Sequence, residues 1–158
     1  MRLARFALVG LTLLAGCAGS PPRPPPAAPE PVPVEPQRLG ARAATLARGY
    51  IGTRYRYGGD TPSGFDCSGL VFYVYRTLGL AVPRTAAEQR ANARRIPADA
   101  LEPGDLVFFS TPEDHVGIYL GNGEFVHAPA AGRRVERARL DSPYFILGFA
   151  GAGRVAPP

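Results

Sequence analysis

The sequence of 158 residues lacks lysine, so all 18 of its basic residues are arginine. From Leu39 onward, 14 arginines stand against 11 acidic residues, which leaves a net charge of only +3. The pairs Arg94–Arg95 and Arg133–Arg134 are too short to track a phosphate backbone, and no aromatic residues interleave them. We therefore expect no nucleic-acid partner, despite a pI of 9.7.

Cysteines and long apolar runs are also scarce. Two cysteines, Cys17 and Cys67, are too few for a miniprotein held together by disulfides. The apolar run from Phe6 to Ala15 is shorter than the roughly 20 residues that a membrane-spanning helix needs. Proline is abundant but unevenly placed, with nine of 18 in Pro21–Pro36. The rest of the chain suffices for one folded domain and excludes a multidomain enzyme.

The first residues have the pattern of an exported protein. Arg2 and Arg5 precede the short apolar run, as in a secretory signal peptide over residues 1–16. Leu14-Ala15-Gly16-Cys17 resembles the bacterial lipobox, which implies cleavage before Cys17 and attachment of diacylglycerol to its thiol. The alternative is a plain signal peptide with a chance cysteine. Residues 17–37 then form a lipidated, proline-rich tether, about 50 Å long over Pro21–Pro36, and residues 38–156 the domain.

The periodicity of the domain changes from helical to extended along the chain. Apolar spacing predicts helices over Leu39–Tyr50 and Cys67–Leu78, and Thr85 with Glu88 forms a capping box for a third helix ending near Arg94. Short strands are predicted over Asp105–Phe109, His115–Leu120, Glu124–Ala128, Arg133–Arg139 and Ile146–Val155. Helices followed by a meander of strands predict an α+β fold, with an antiparallel sheet packed on the helices.

Cys67 is the residue whose position calls for a chemical explanation. A free thiol in an exported protein meets oxidising conditions, although a small buried cysteine is an alternative role. Cys67 begins a predicted helix, where unpaired N–H groups and the helix dipole favour the nucleophilic thiolate. Asp66 before it is expected to cap the helix. A cysteine nucleophile also requires a general base and a group that orients the base.

Both histidines of the chain fall in one predicted hairpin. A three-residue turn at Gly121–Gly123 pairs Leu120 with Glu124 and Ile118 with Val126. It then places His115 and His127 on one face as diagonal neighbours, roughly 7–8 Å apart between backbones. A two-residue Asn-Gly turn, the stronger general signal, would place them on opposite faces. We therefore predict the three-residue turn.

Several short motifs together resemble the NlpC-type papain-like cysteine peptidases of the bacterial cell wall. The motifs are Tyr55-Arg56-Tyr57-Gly58-Gly59, Asp66-Cys67-Ser68-Gly69-Leu70, Pro83-Arg84-Thr85, Pro103-Gly104-Asp105, His115-Val116-Gly117 and Phe125-Val126-His127-Ala128. The resemblance covers about Leu39–Val155. It implies a papain-like fold in which N-terminal helices carry the cysteine and the sheet carries both histidines. Tyr144-Phe145 and the segment after Gly148 match the family less well.

The resemblance also implies roles for single residues. Cys67 would be the nucleophile, His115 the general base, and His127 the residue that orients His115. The Tyr55 hydroxyl and the backbone N–H of Cys67 or Ser68 would stabilise the oxyanion. For Tyr55 the alternative is a half-buried loop aromatic, and Asp105 is expected to be a turn residue.

The implied function is hydrolysis of amide bonds in peptidoglycan stem peptides, without cofactor or metal, by a monomer on the periplasmic face of the outer membrane. The D-alanyl–diaminopimelate cross-link is favoured over the γ-D-glutamyl–diaminopimelate bond. Two alternatives remain. Cys67, His115 and His127 could hold zinc, which often has three protein ligands at catalytic sites, or the domain could be a non-catalytic wall-binding or scaffolding lipoprotein.

Overall fold

The structure, a computed structural model, describes residues 36–110 and 114–156, with side chains from residue 39 onward. The predicted signal peptide, the lipobox cysteine Cys17 and the proline-rich tether up to residue 35 lie outside the described residues. No helix in the described part is both long and apolar enough to cross a membrane.

Four α-helices form within the described residues, three of them close to where the sequence predicts helices. They are α1 (Pro36–Arg48), α2 (Cys67–Thr77), α3 (Ala86–Asn92) and α4 (Pro143–Gly148), and a short 3-10 helix covers Ala98–Ala100. The predicted capping box of α3 is present, since the Thr85 and Glu88 side chains each bond the backbone N–H of the other residue. The periodicity of α2 predicts a buried side made of Leu70, Val71, Val74, Tyr75 and Leu78. The first four are buried, whereas Leu78, the residue after the helix, is half-buried.

In residues 36–110 and 114–156, eight strands form two antiparallel sheets. The strands are β1 (Asp60–Thr61), β2 (Gly64–Phe65), β3 (Arg94–Ile96), β4 (Leu106–Phe109), β5 (His115–Gly121), β6 (Glu124–His127), β7 (Glu136–Arg139) and β8 (Phe149–Arg154). The first two make a small hairpin before α2, and the other six make one sheet with the order β3-β8-β4-β5-β6-β7. The predicted α+β fold is confirmed.

The sheet buries side chains on both of its faces. On one face, Phe108, Val116 and Ile118 join the apolar sides of α1 and α2 in the larger core. On the other face, Phe109 and Phe125 form a smaller cluster, against which Phe145 of α4 packs. Neighbouring residues of a strand point to opposite faces. Val116 and Val126 belong to the larger core, so His115 and His127, each adjacent to one of them in the sequence, lie on the face of the smaller cluster.

The structure corrects three predicted boundaries. The third helix ends at Asn92, and Arg94–Ile96 is a strand paired with β8. Regular strand pairing in β7 begins at Glu136 rather than at Arg133. The predicted last strand loses Ile146–Gly148 to α4, a helix that starts with Pro143 at its first position, where proline is well tolerated.

The hairpin turn differs from the predicted one, although the strand register agrees. Gly121 pairs directly with Glu124, and Asn122 and Gly123 between them both have positive φ, so the predicted three-residue turn is wrong. This is the pattern of a two-residue type I′ turn. A register shift between Tyr119 and Gly121 then inserts one extra residue, so that Ile118 still pairs with Val126 as predicted. The bulge thus brings the two histidines back to one face.

Candidate active site

The N-terminus of α2 places Cys67 at the edge of a cleft. Asp66 caps the helix as predicted, because its Oδ1 accepts the backbone N–H of Gly69 at 2.7 Å. The cap is held from outside the helix by Arg84, whose guanidinium lies 2.6 Å from Asp66 Oδ2 and 2.9 Å from Ser68 Oγ. The first turn of α2 is therefore fixed by charge-assisted hydrogen bonds on both sides of Cys67.

The two histidines form a hydrogen-bonded pair. His115 begins β5 and His127 ends β6, and Nε2 of His115 lies 2.8 Å from Nδ1 of His127. His127 is almost fully buried, with its ring against Phe125 and Phe145 at centroid distances of 5.1 and 5.4 Å. The aromatic rings limit how the imidazole can turn, so His127 can orient His115 as the resemblance implies.

One cleft of about 520 Å³ contains all three residues. It is lined by Tyr55, Cys67, Phe109, Asp114, His115, His127, Pro129, Ala130, Arg133, Glu136, Tyr144 and Phe145. The thiol of Cys67 also receives a backbone hydrogen bond from Val116, the residue directly after His115. The predicted nucleophile, base and orienting residue are thus brought together by α2, β5 and β6.

Burial keeps the reacting groups neutral. It raises the pKa of the Cys67 thiol above its ordinary value, with the Asp66 carboxylate adding to the rise and backbone hydrogen bonds from Val116 and Ser68 opposing it. Burial also lowers the pKa of His115 to about 4 and that of His127 to about 3. The position of Cys67 at a helix N-terminus predicts a thiolate. Desolvation of the charged sulfur outweighs this effect of the helix, because it raises the pKa of the thiol.

The two predicted oxyanion-supporting residues border the cleft in different ways. Tyr55 is half-buried in the cleft wall, where its backbone N–H bonds the carbonyl of Arg133 at 3.0 Å. The hydroxyl of Ser68 takes part in the Arg84 contacts, whereas its backbone N–H is directed to the Cys67 sulfur. The Ser68 side chain is thus engaged with Arg84, and the oxyanion role of the Ser68 backbone N–H stays a prediction.

Asp105 is a structural residue rather than a member of the cleft. Its buried carboxylate accepts the backbone N–H of Glu102 at 2.8 Å, which closes a turn as predicted. It also binds Arg154 of β8, with Nε 2.7 Å from Oδ1. The sequence predicts the turn but not this ion pair, which links the residue before β4 to the end of β8.

Several cleft residues were not predicted as parts of the site. Arg133 and Glu136 are joined by a 2.5 Å contact at the cleft wall, and Tyr144 and Phe145 enter from α4. Glu136 pairs with His127 across β6 and β7, so counting the register onward from the hairpin would have found it. Tyr144 and Phe145 carry no such local signal, because the match to the family weakens there.

The zinc alternative of Cys67, His115 and His127 is not supported by the arrangement of these residues. In residues 36–110 and 114–156, no group of three or more His, Cys, Asp or Glu side chains is arranged to hold a metal ion. Nε2 of His115 and Nδ1 of His127 face each other at 2.8 Å. A shared proton accounts for that spacing.

The fold and the cleft define the class of a papain-like α+β domain with a cysteine and a histidine pair. The sequence model of the NlpC/P60 family matches residues 52–154. The chain belongs to the NlpC/P60 family, as the motifs around Cys67, His115 and His127 had indicated.

Relatives in the family are endopeptidases and peptidases by name. The chain is 44% identical to murein DD-endopeptidase MepH of Escherichia coli K12, over 68% of this chain and 43% of that protein. It is 35% identical to γ-D-glutamyl-L-lysine dipeptidyl-peptidase of Bacillus cereus, over 68% of this chain and 34% of that protein. It is 38% identical to the probable endopeptidase NlpC of E. coli K12, over 96% of this chain and 99% of that protein. The chain thus spans less than half the length of the first two.

Solved structures share the fold. An NlpC/P60 family protein from B. cereus superposes with a TM-score of 0.71 at 32% identity, over 75% of this chain and 40% of that one. The NlpC/P60 domain of the peptidoglycan hydrolase SagA gives a TM-score of 0.65 at 35% identity, over 73% and 98%. The predicted papain-like fold is confirmed, and the family supports the predicted enzyme class, a cysteine peptidase.

Proposed function

We propose that the protein is a cysteine endopeptidase that hydrolyses amide bonds in peptidoglycan stem peptides or in their cross-links. The observation that carries this proposal is the meeting of Cys67 with the hydrogen-bonded pair His115–His127 in one cleft. Nucleophile, base and orienting group are the three parts that acyl transfer by a thiol requires. The names of the relatives supply the substrate class.

The neutral resting state sets the order of proton transfers. The thiol proton of Cys67 moves to His115 as the sulfur attacks the scissile carbonyl, and the imidazolium formed is oriented by His127. His115 then returns that proton to the leaving amine as the C–N bond breaks, which leaves a thioester on Cys67. In the second half, His115 takes a proton from water, the hydroxide attacks the thioester, and the proton goes back to the sulfur.

The oxyanion of each tetrahedral intermediate would be held at the start of α2. Cys67 and Ser68 are the first two residues of α2, where backbone N–H groups have no partner within the helix. The N-terminal end of the helix dipole also favours negative charge there. Tyr55 lines the same cleft, so its hydroxyl is proposed as a further donor. Loss of one such donor typically lowers kcat by about a hundredfold to a thousandfold.

Among the possible bonds, we favour the D-alanyl–diaminopimelate cross-link. MepH, the relative at 44% identity, is named as a DD-endopeptidase. The bond between γ-D-glutamate and diaminopimelate is second, since another relative is named for γ-D-glutamyl cleavage. Both bonds join amino acids that differ from those of ordinary proteins, so a peptidase for either needs a shaped cleft more than general peptide affinity.

We also propose the domain organisation and location that the N-terminal sequence predicts. Residues 1–16 would be removed as a signal peptide, Cys17 would carry the lipid, and residues 17–37 would tether the domain of residues 38–156 to the periplasmic face of the outer membrane. Two lipid chains give stable anchoring. Labelling with a palmitate analogue should mark the wild-type chain and leave Cys17→Ser unlabelled.

Analysis of peptidoglycan digests by mass spectrometry tests the activity. The full chain is incubated with sacculi beside Cys67→Ala, with Cys17→Ser as a matched variant that changes the other cysteine. Loss of cross-linked dimers with the wild type and Cys17→Ser, but not with Cys67→Ala, is expected. Truncated stems would indicate the γ-D-glutamyl bond instead. Equal products from wild type and Cys67→Ala would contradict Cys67 as nucleophile, and no cleavage at all would favour the wall-binding alternative.

A further inference from the structure

One ring nitrogen at the centre of the site has no hydrogen-bond partner. Nε2 of His127 is buried and unbonded, while Nδ1 of the same ring meets His115. A buried polar atom without a partner destabilises the folded state, and natural proteins rarely tolerate one. An unbonded nitrogen two bonds away from a catalytic contact therefore points to a function.

The contact between the histidines determines which tautomer catalysis needs. Nε2 of His115 is engaged with His127, so only Nδ1 of His115 can accept the thiol proton. That requires the shared proton to sit on Nε2 of His115, with Nδ1 of His127 as the acceptor. A neutral His127 then carries its own proton on Nε2. In the opposite tautomer His115 is protonated on Nδ1 and cannot act as a base.

Glu136 is placed to select the productive tautomer. It is the residue directly opposite His127 in the pairing of β6 with β7, and its Oε1 lies 3.8 Å from Nε2 of His127. The guanidinium of Arg133 lies 2.5 Å from the same oxygen of Glu136. The Glu136 carboxylate therefore favours the tautomer of His127 with a proton on Nε2. In the other tautomer the lone pair of Nε2 would face the negative charge of the carboxylate.

We propose that Glu136 is a positioning residue that accepts the Nε2–H of His127 and so keeps Nδ1 of His115 free to receive the thiol proton. This inference rests on the proposed function. The gap of 3.8 Å is longer than a hydrogen bond, and contacts of this kind tighten in substrate complexes. Arg133 binds the same carboxylate oxygen at 2.5 Å and so helps to hold Glu136 beside the ring.

The proposed interaction is a hydrogen bond from a neutral ring rather than an ion pair. Burial, the neighbouring His115 and the Arg133 guanidinium together lower the pKa of His127 to about 3, so the ring is neutral at neutral pH. The charged or titratable groups around it are His115 on β5, Glu136 on β7 and Arg133 before β7. A neutral ring has two tautomers of similar energy, and one carboxylate suffices to choose between them.

Nitrogen-15 NMR of the imidazole rings tests the tautomer without substrate. The full chain carrying Cys67→Ala is labelled at histidine, and the ring shifts are recorded with and without Glu136→Ala. We expect a proton on Nε2 of His127 in the parent. In Glu136→Ala we expect a mixture of tautomers, and in Glu136→Gln, whose amide oxygen can still accept, a partial return to the parent pattern.

Kinetics in chains with Cys67 intact provide the second measurement. Glu136→Ala should lower kcat about tenfold with little change in KM, since only the base is disturbed. Glu136→Gln should recover part of the loss. The matched control is Glu124→Gln, which alters a carboxylate of the same sheet that pairs with Arg137 outside the cleft and should change neither measurement.

Each result decides the proposal. A changed tautomer with reduced kcat supports it. A reduced rate with an unchanged tautomer, or an increase in KM alone, overturns it and makes Glu136 a substrate contact. A changed tautomer at full activity also overturns the positioning role. If the chain cleaves no peptidoglycan, the proposed function fails, while the tautomer measurement still reports on Glu136.

Discussion

Gly69 in the first turn of α2 lies directly against the backbone carbonyl of Gly59, so closely that a methyl group at position 69 would overlap that oxygen. The same carbonyl accepts the backbone N–H of Asp66 at 3.0 Å and an N–H of Arg84 at 3.3 Å. The backbone of Gly59 in the loop is thus packed directly on the backbone of Gly69 in the helix. This approach requires glycine at position 69, because only a residue without a Cβ permits it. Glycine at position 59 is required by a different contact, with the backbone carbonyl of Gly64.

Replacing Gly69 by alanine should therefore destabilise the protein by about 1–3 kcal/mol, as overpacked sites do. The added carbon meets backbone on the Gly59 side, which cannot move aside as a flexible side chain would. The free energy of unfolding in urea measures the loss. Gly49→Ala is the matched control, since its added carbon meets only the carbonyl of Leu46 at 3.2 Å. Equal losses in the two variants would contradict the contact.

The sequence foretold those parts of the site that depend on local pattern. The cap at Asp66, the helix that begins at Cys67 and the shared face of the histidines all depend on residues within one helix or hairpin. The histidine placement was right for an incomplete reason. Asn122-Gly123 does form the two-residue turn that the general rule favours, and the bulge at Leu120–Gly121 restores the register. The alternation of apolar residues predicted the pairing of Ile118 with Val126, but it did not predict the bulge that produces this pairing.

What the sequence did not foretell depends on distant partners. Strand β3 has three residues, two of them exposed arginines, and becomes a strand only because β8 pairs with it more than fifty positions later. Helix α4 forms where Ile146 and Leu147 had suggested a strand, and Phe145 docks on Phe109 and Phe125. Such contacts follow from tertiary packing, which overrides weak local preference in short segments.

Arg84 should contribute to stability through the cap of α2. Its guanidinium reaches Asp66, Ser68 and Gly59, and the Asp66 carboxylate is largely buried. Arg84→Met should cost about 1.5–3 kcal/mol, in the range of hydrogen bonds to charged groups. Arg84→Lys should recover only part of this, because an ammonium cannot make the forked contact.

Chemical denaturation of both Arg84 variants measures the cost. The control is Arg139→Met, which removes an equally short ion pair with Asp141 at an exposed position. Fully exposed pairs contribute little to stability, so this variant should stay close to the parent. A loss in Arg84→Met no larger than in the control would show that the cap does not depend on Arg84.

Alkylation kinetics should reveal a protonated thiol at neutral pH. Burial raises the pKa of Cys67, and only the thiolate reacts, so the rate with iodoacetamide should rise at higher pH than for an exposed cysteine. The measurement uses Cys17→Ser, in which Cys67 is the single thiol. The same chain in urea is the control, because unfolding exposes the sulfur and should lower the midpoint to the ordinary value. A folded-state midpoint below the unfolded one would indicate a thiolate–imidazolium pair instead.

The buried histidines should make the fold less stable in mild acid. Their folded-state pKa values, about 4 for His115 and about 3 for His127, lie below the ordinary 6.5. Between these values the unfolded chain binds more protons than the folded one, so stability falls as pH decreases from 6.5 toward 4. For His127 the loss should approach about 1.4 kcal/mol per pH unit.

The slope of unfolding free energy against pH isolates this contribution. Denaturation in urea at several pH values between about 7 and 4.5 is compared for the wild type and His127→Gln. The carboxylates of the two chains are the same, so their titration cancels in the difference. We expect the slope to be shallower in His127→Gln, because a glutamine amide neither titrates nor needs to be kept neutral. Parallel curves would mean that His127 takes up its proton in the folded protein as readily as in the unfolded chain.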